Sequence, residues 1–269
     1  MDPIALLAFL SIGALAGLLA GLLGIGGGVV IVPALLWLFS HLSLAGMDPQ
    51  ASLIPQQAVA TSLATVMATG LASALAHHRR GAVELRLLVQ LLPGLLLGAW
   101  LGALAAAHLP AAWLTRLFAL FLFYSGARMV AQPSVQAHAS LPGTPGLAAA
   151  GTGFGALSAL LGIGGGILVV PYLAGRGVRM AHAVATASAC GVPLALAGSI
   201  AYMLSGWGRA GLPPHSLGFV YWPAALAIMA ASVPLAPLGA RLAHWLPTAV
   251  LKRLFGALLL LIALRLALL

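Results

Sequence analysis

Long apolar runs separated by short polar gaps dominate the hydropathy pattern of the chain. The first run, residues 4–39, contains no charged residue. Later runs cover residues 55–76, 87–107, 113–130, 146–174, 181–206, 217–240 and 248–269. Because a helix of about 20 apolar residues crosses the hydrocarbon core of a bilayer, the pattern predicts an all-α, polytopic membrane protein with about eight spans.

The first run is too long for one ordinary span. As a straight helix, residues 4–39 would extend over roughly 54 Å, against a hydrocarbon core of about 30 Å. A Gly-Ile-Gly-Gly-Gly cluster at residues 24–28 and a proline at position 33 interrupt the run. Glycine favours loop conformations, and proline removes a helical hydrogen bond. The run is therefore predicted to be a discontinuous or hairpin segment broken at the glycines.

The chain contains an internal duplication. Three motifs recur in the same order: Gly-Ile-Gly-Gly-Gly at 24–28 and 162–166, Ala-Val-Ala-Thr at 58–61 and 183–186, and Leu-Pro at 109–110 and 246–247. Such self-similarity is typical of structural repeats. It predicts two homologous membrane repeats, residues 1–131 and 146–269, joined by a Pro- and Gly-containing linker at 132–145. Each repeat begins with a glycine-broken segment.

The relative orientation of the repeats depends on whether each broken segment crosses the membrane once or forms a hairpin. With the gap at 77–80 in the cytoplasm, single crossings give parallel repeats and place six basic residues on each side. Hairpins give inverted repeats with nine basic residues inside and three outside; the nine are Arg79, Arg80, Arg86, Arg128, Arg176, Arg179, Arg241, Lys252 and Arg253. The positive-inside rule therefore favours inverted repeats.

Composition supports the membrane assignment and excludes other classes. Hydrophobic residues make up 62% of the 269-residue chain and charged residues 6%, about a quarter of the charge of a soluble domain. A water-soluble enzyme is thereby excluded. The net charge is +9, but the basic residues lie singly or in pairs between apolar runs, so no nucleic-acid partner is expected. The one cysteine, Cys190, cannot form a disulfide within the chain.

Acidic residues are scarce, which bears on energy coupling. The chain has three, Asp2, Asp48 and Glu84, all in predicted termini or loops. Ion-driven carriers generally use a carboxylate within the membrane. Transport driven by an anion gradient and the membrane potential is therefore expected, while proton coupling through a histidine or a protonated substrate stays open. The eight histidines show no metal-ligand spacing, so no metal site or cofactor is expected.

The paired glycine breaks are the first candidate substrate-binding site. Transporters place broken helices near the bilayer midplane, where half-helix N-termini point at anionic substrates. Exposed backbone N–H groups and the positive end of the helix dipole make an anion site without charged side chains. The alternative is that the glycines allow close helix packing. The candidate residues are Gly24, Gly26, Gly27, Gly28, Gly162, Gly164, Gly165 and Gly166.

Polar side chains early in the spans that follow each break form the second candidate set. These are Gln57, Thr61 and Ser62 in the first repeat and His182, Thr186 and Ser188 in the second. Positions four apart share a helix face, so these groups can offer hydroxyl and amide donors to an oxyanion. The alternative is hydrogen bonding to the preceding helical turn or to a neighbouring helix.

The glycine motif at 17–33, repeated in mid-chain, together with Ala-Val-Ala-Thr-Ser at 58–62, resembles the TauE/SafE family of sulfite and organosulfonate exporters. The resemblance covers nearly the whole chain. It implies an inner-membrane permease of about eight spans that moves small sulfur-containing anions such as sulfite, sulfoacetate or related sulfonates. By position, it implicates the glycines at 26–28 and 164–166 with Thr61, Ser62, Thr186 and Ser188. Ala187 stands where the first repeat has Ser62, so unequal contributions from the two repeats are expected.

The sequence therefore predicts a multi-pass secondary transporter of the cell (inner) membrane that exports a small sulfur-containing oxyanion. Its expected partners are the anionic substrate and the lipid bilayer, and homo-oligomerisation is left open. An importer of another small sulfur compound or anion remains an alternative. An intramembrane enzyme would need a nucleophile–base pair or a metal, and Cys190 has no motif partner. A channel-like or assembly subunit is the third alternative.

Overall fold

The computed structural model describes residues 3–23, 26–41, 53–79, 81–131, 140–242 and 248–267. Within these ranges the chain forms ten helices and one two-stranded antiparallel ribbon. The helices are α1 (Pro3–Leu23), α2 (Gly28–His41), α3 (Ile54–His78), α4 (Leu85–His108), α5 (Ala111–Ala131), α6 (Thr144–Leu161), α7 (Gly166–Ala174), α8 (Met180–Ser205), α9 (Trp222–Leu242) and α10 (Thr248–Ala267). The ribbon joins β1 (Ser216–Leu217) to β2 (Val220–Tyr221).

The prediction of an all-α polytopic membrane protein is confirmed. Seven of the helices are long and apolar enough to cross a membrane: α1, α3, α4, α5, α6, α8 and α9. Helix α10 is 20 residues long and carries Lys252, Arg253 and Arg265. Large apolar side chains such as Leu120 and Leu261 are each 66% exposed. Lipid can cover such side chains, whereas water would not favour so apolar an outer surface.

Both predicted helix breaks are present. Helix α1 ends at Leu23 and α2 begins at Gly28, whereas α6 ends at Leu161 and α7 begins at Gly166. Gly26 and Gly27 have φ angles of +82° and +70°, and Gly162 has φ +66°. Side chains disfavour this left-handed region, so glycine is the residue that lets each helix stop here.

Each broken segment turns back on itself. The rings of Phe9 in α1 and Phe39 in α2 lie 6.4 Å apart, whereas a continuous helix would separate these residues by about 45 Å. In the second half of the chain, the rings of Phe154 in α6 and Tyr172 in α7 lie 4.9 Å apart. The chain therefore doubles back at each break, the form that the count of basic residues favours over a single straight helix.

Helix α9 begins five residues later than the apolar run at 217–240 predicts. Hydropathy cannot separate a buried turn from a helix of the same polarity. Here the apolar residues Phe219 and Val220 are fully buried in the β1–β2 turn and strand. The short ribbon positions the first turn of α9 beside α3.

Two parallel helix pairs, α4 with α6 and α1 with α9, make the most extensive contacts. Glycines face the partner backbone throughout both pairs, as small residues do where membrane helices approach closely. The register is the same in the two pairs: Gly13 lies against Ile228 and Gly17 against Ser232, whereas Gly151 lies against Leu91 and Gly155 against Leu95. The offset is 138 residues for the glycines (151 − 13) and 137 for their partners (228 − 91).

Helices α3 and α8 cross at the centre and run antiparallel. Gly70 lies against Val192, and Gly198 lies against Leu63. Near the end of α3, the Ser73 hydroxyl donates to the Ser188 hydroxyl at 3.4 Å. The end of α3 and the start of α8 therefore lie at the same end of the molecule.

Candidate functional site

The two glycine breaks meet in the interior. A Cβ at Gly28 would lie 2.5 Å from the carbonyl oxygen of Gly162 and 2.9 Å from Cα of Ile163. A Cβ at Gly26 would lie 3.5 Å from Cα of Gly164. Real Cβ atoms essentially never come within 3 Å of backbone, so the contact at Gly28 requires glycine. The duplicated motifs, 138 residues apart in the chain, thus touch backbone to backbone.

Ser62 fixes the second break to α3. Its hydroxyl is fully buried and donates to the carbonyl oxygen of Gly162 at 2.7 Å. One buried hydrogen bond of this kind contributes about 1 kcal/mol. The matching position of the second half is Ala187, which has no hydroxyl. The hydrogen bond from α3 to the second break therefore has no side-chain counterpart at Ala187, and unequal contributions of the two repeats to substrate binding stay a prediction.

Thr61 and Thr186 occupy equivalent places at the start of two long helices. The Thr61 hydroxyl oxygen accepts the backbone N–H of Tyr221 at 3.0 Å, directly before α9. The Thr186 hydroxyl oxygen accepts the backbone N–H of Glu84 at 3.0 Å, directly before α4. Because the first N–H groups of a helix lack partners within it, each threonine stabilises the start of a helix from the opposite half. These hydroxyls keep their protons for a second partner.

The two glutamines of α3 are buried and incompletely bonded. Gln56 donates from Nε2 to the carbonyl oxygen of Leu109 at 2.8 Å. Oε1 of Gln56 and Oε1 of Gln57 have no hydrogen-bond partner among the described residues. Gln57 is only 1% exposed, and an unpaired buried acceptor costs about 1–3 kcal/mol. Gln57 is therefore available to a donor on a ligand or a water molecule.

His182 and Ser188 lie away from the breaks, towards the end of the molecule where α3 ends. His182 Nδ1 lies 2.7 Å from Oε1 of Glu84, and its Nε2 contacts the guanidinium of Arg179. Ser188 donates to the carbonyl oxygen of Val184 at 2.9 Å, the backbone bond that its sequence position allows.

The predicted site residues thus divide into two groups. The structure brings the breaks and Ser62 together, with Thr61 and Gln57 on the same helix as Ser62. It places His182, Thr186 and Ser188 along α8, leading from Glu84 towards the second break. Gly24 lies outside the described residues. Gly27 is buried and faces α1, where its Cβ would meet Ala16 and Ala20.

Three contributors were missed by the sequence analysis. A Cβ at Gly162 would lie 2.9 Å from Cα of Val59, so the Ala-Val-Ala-Thr motif packs its backbone on the second break. Glu84 and Tyr221 supply the N–H groups to the two threonines. The two positions differ by 137 residues (221 − 84), the offset of the Leu-Pro repeat (246 − 109). Applying the 137-residue offset of the Leu-Pro repeat to Glu84 would have identified Tyr221 as its equivalent.

The electrostatics at the breaks come from backbone groups. The residues that touch there, among them Gly26, Gly28, Ser62 and Gly164, carry no charged side chain. Helices α2 and α7 begin at these glycines, and a helix N-terminus carries about half a positive charge. The starts of α2 and α7 can therefore offer backbone N–H groups to an anion, while α1 and α6 end at the same breaks.

The fold and this interior geometry define a polytopic helical membrane protein with two helix breaks in contact. The family model for "Sulfite exporter TauE/SafE" matches residues 9–266. The chain belongs to this TauE/SafE family.

Curated relatives agree with the family. A "Probable membrane transporter protein" of Haemophilus influenzae is 36% identical over 255 residues, covering 94% of this chain and 95% of the relative. A "Probable membrane transporter protein YunE" of Bacillus subtilis is 28% identical over 216 residues, covering 72% of this chain and 77% of the relative. No solved structure matches the chain. The family and these relatives identify the protein as a membrane transporter and not an enzyme.

Proposed function

We propose that this transporter moves a small sulfur-containing oxyanion, such as sulfite, sulfoacetate or a related sulfonate, outward across the cell (inner) membrane. The substrate would bind between the two glycine breaks. The contact between the two breaks, Gly28 against Gly162 and Gly26 against Gly164, carries this proposal, because α2 and α7 begin at these breaks. The family's name, which refers to sulfite export, supports the substrate class.

Binding would rest on backbone N–H groups at the starts of α2 and α7. A tetrahedral or pyramidal oxyanion presents several oxygens, and N–H groups at helix N-termini hydrogen-bond such oxygens without a counter-charge. The hydroxyl of Ser62, which now donates to Gly162, would be released to the substrate when the breaks separate. The glycines, Gln57 and the hydroxyls of Thr61 and Thr186 remain the proposed ligands of the site.

The arrangement described here would be a closed one. The breaks are in van der Waals contact, so a bound anion needs the two halves to move apart. Outward movement agrees with the energetics, since a negative-inside membrane potential drives an anion out of the cell. An importer of another sulfur compound or anion stays the alternative, because the same site would serve either direction.

We further propose that residues 1–131 and 146–269 are inverted repeats. The matched registers of α1–α9 and α4–α6 support a twofold relation between the halves. When two helices are related by a twofold axis that lies in the membrane plane and meet on that axis, they run antiparallel. Helices α3 and α8 run antiparallel. This arrangement also brings Arg79 and Arg179 to the same end of the molecule, as the positive-inside rule requires of inverted repeats.

A cross-linking experiment tests the inverted arrangement. In a Cys190→Ala background, Ser73→Cys with Ser188→Cys should form a disulfide under mild oxidation, since the hydroxyl oxygens lie 3.4 Å apart. The control pairs Ser73→Cys with Ser205→Cys, about 26 Å further along α8, and should stay reduced. Mobility on a non-reducing gel reads out both. Cross-linking of the Ser205 pair instead would mean that α3 and α8 run parallel.

Flux measurements test the proposed function. Purified protein in liposomes should move sulfite in a saturable manner, with a rate that follows a clamped membrane potential and falls when sulfoacetate competes. A rate that rises linearly with concentration would indicate a channel. Absence of sulfite and sulfonate flux, with flux of another anion such as thiosulfate, would overturn the substrate. In cells, export predicts less internal sulfite when the protein is expressed, and import predicts more.

A further inference from the structure

A charged cluster of Glu84, His182 and Arg179 lies outside the glycine breaks. The Glu84 carboxylate oxygen lies 2.7 Å from Nδ1 of His182. Arg179 contacts Nε2 of the same ring. When Nδ1 of His182 carries a proton, it donates that proton to Glu84. His182 therefore holds an anionic group on one side and a guanidinium on the other.

The cluster lies between the halves of the protein and is open to water. Glu84 comes directly before α4, whereas Arg179 and His182 stand at the start of α8. The side chain of Glu84 is 45% exposed and that of His182 is 20% exposed. The backbone N–H of Glu84 is held by Thr186, one turn inward from His182.

Helix α8 connects this cluster to the second break. His182 is nine residues before Gly191, which gives a separation of about 14 Å along the helix. A Cβ at Gly191 would lie 3.8 Å from the backbone nitrogen of Gly165. Thr186 and Ser188 lie between these two points. An anion bound at His182 would thus stand at the outer end of a helix that leads to the proposed site.

The charges on the elements around the cluster are almost all positive. The charged residues are Arg79 at the end of α3, Arg86 in α4 and Arg176 in the α7–α8 connection, which stacks on the Tyr172 ring at 3.6 Å. The end of α3 also carries His77 and His78. Glu84 is the single acidic residue in the described ranges. If its carboxylate leaves His182, the place it vacates is electropositive and suits another anion.

The positions equivalent to this cluster in the duplication carry no charged side chain. Gln57 replaces His182, Ile54 replaces Arg179 and Tyr221 replaces Glu84 in the duplication. Tyr221 packs against Phe9 and Phe39, with ring centroids 6.4 and 6.0 Å away. Burial raises the pKa of the Tyr221 hydroxyl, so none of these three side chains is charged. The charged cluster therefore distinguishes one end of the protein from the other.

We infer that His182 and Arg179 form an entrance site for a small oxyanion, and that Glu84 occupies it as an internal anion in the closed arrangement. An incoming anion displaces Glu84 from His182, which also removes a contact between the two halves. The inference rests on the proposed anion transport, because the entrance site would be the point at which the transported anion enters the pathway. Under the proposed topology the site faces the cytoplasm, the side from which an exporter loads.

Protection of a nearby thiol tests the entrance site without transport. Ala181 is exposed and adjacent to His182, so Ala181→Cys in a Cys190→Ala background can be labelled with a neutral maleimide. Sulfate and methanesulfonate, which do not react with maleimides, are the probes. Both should slow the labelling. The concentration for half-protection should fall about fivefold in Glu84→Gln and rise about fivefold in His182→Gln and Arg179→Gln, in line with the modest strength of exposed charge pairs.

The opposite changes in half-protection concentration expected for Glu84→Gln and His182→Gln distinguish a binding site from a structural contact. Glu84→Gln and His182→Gln both break the link between the halves, so a purely structural role would shift protection in the same direction in both. Arg116→Gln removes an exposed positive charge from the opposite end, at the start of α5, and should change half-protection by less than about twofold. Equal shifts, or no protection by either anion, would overturn the inference. Protection without sulfite or sulfonate flux would instead overturn the proposed substrate and leave the entrance site standing.

Discussion

Gly28→Ala is expected to reduce flux of the sulfur anion by at least about tenfold in proteoliposomes. The added methyl group would lie 2.5 Å from the Gly162 carbonyl oxygen and 2.9 Å from Cα of Ile163. Neither neighbour is a flexible side chain, so the breaks must separate. Overpacking of this kind costs about 1–3 kcal/mol, and 1.4 kcal/mol corresponds to a factor of ten. A transporter passes through the closed arrangement each time it changes the side to which its site is open. The closed arrangement would then be poorly populated, and transport would slow.

The matched control is Gly153→Ala, because a Cβ at Gly153 meets nothing within 4 Å on the exposed face of α6. Its flux should equal that of the parent at equal protein content in the vesicles. Comparing elution from size exclusion for both variants separates lost transport from lost folding. Parental flux in Gly28→Ala would show that the breaks do not meet during transport, and the glycines would then serve packing elsewhere.

Gly98→Ala is expected to cause a large loss of stability. Its Cβ would lie 2.1 Å from the carbonyl oxygen of Thr152, in the middle of the α4–α6 contact. The two helices would have to move apart along their length, at a cost of about 2–3 kcal/mol. Thermal unfolding in detergent should report this as a lower midpoint than that of the parent.

Gly153→Ala again provides the comparison for this stability measurement. It adds the same methyl group to a helix glycine and should leave the midpoint unchanged or raise it slightly, since alanine favours helix. An unchanged midpoint in Gly98→Ala would contradict the close α4–α6 approach. It would also weaken the evidence for matched registers, because α1 and α9 make the equivalent approach at Gly13 and Gly17.

The positions of the helices could be predicted because local sequence determines them. Apolar length fixes a membrane span, and glycines with positive φ fix the breaks at Gly26, Gly27 and Gly162. The hairpin form could not be predicted in this way. It depends on Phe9 meeting Phe39 across the break, a tertiary contact that hydropathy does not encode. The ribbon before α9 was missed because its residues are as apolar as the helix that follows.

The site shows the same division. The sequence predicts a site built from glycine, threonine and serine residues of two distant motifs, and the structure places the two glycine breaks in contact. The sequence cannot tell what each hydroxyl contacts. Thr61 was predicted to bind substrate, but its oxygen accepts an N–H from Tyr221, 160 residues away. His182 was grouped with the breaks, yet it pairs with Glu84, 98 residues away. Such pairings depend on which helices pack together, and direct substrate contact at these residues stays a prediction.

Labelling of Val66→Cys in a Cys190→Ala background tests the central claim most directly. Val66 is 1% exposed, and its side chain lies 4.0 Å from the Cβ position of Gly26 at the junction of the breaks. An impermeant thiol reagent should label this cysteine only when transport opens the junction, and methanesulfonate or sulfoacetate should slow the labelling at the concentrations that saturate flux. Undiminished flux with a thiol that is never labelled, or labelling that the anions do not slow, would contradict a substrate site between the two glycine breaks.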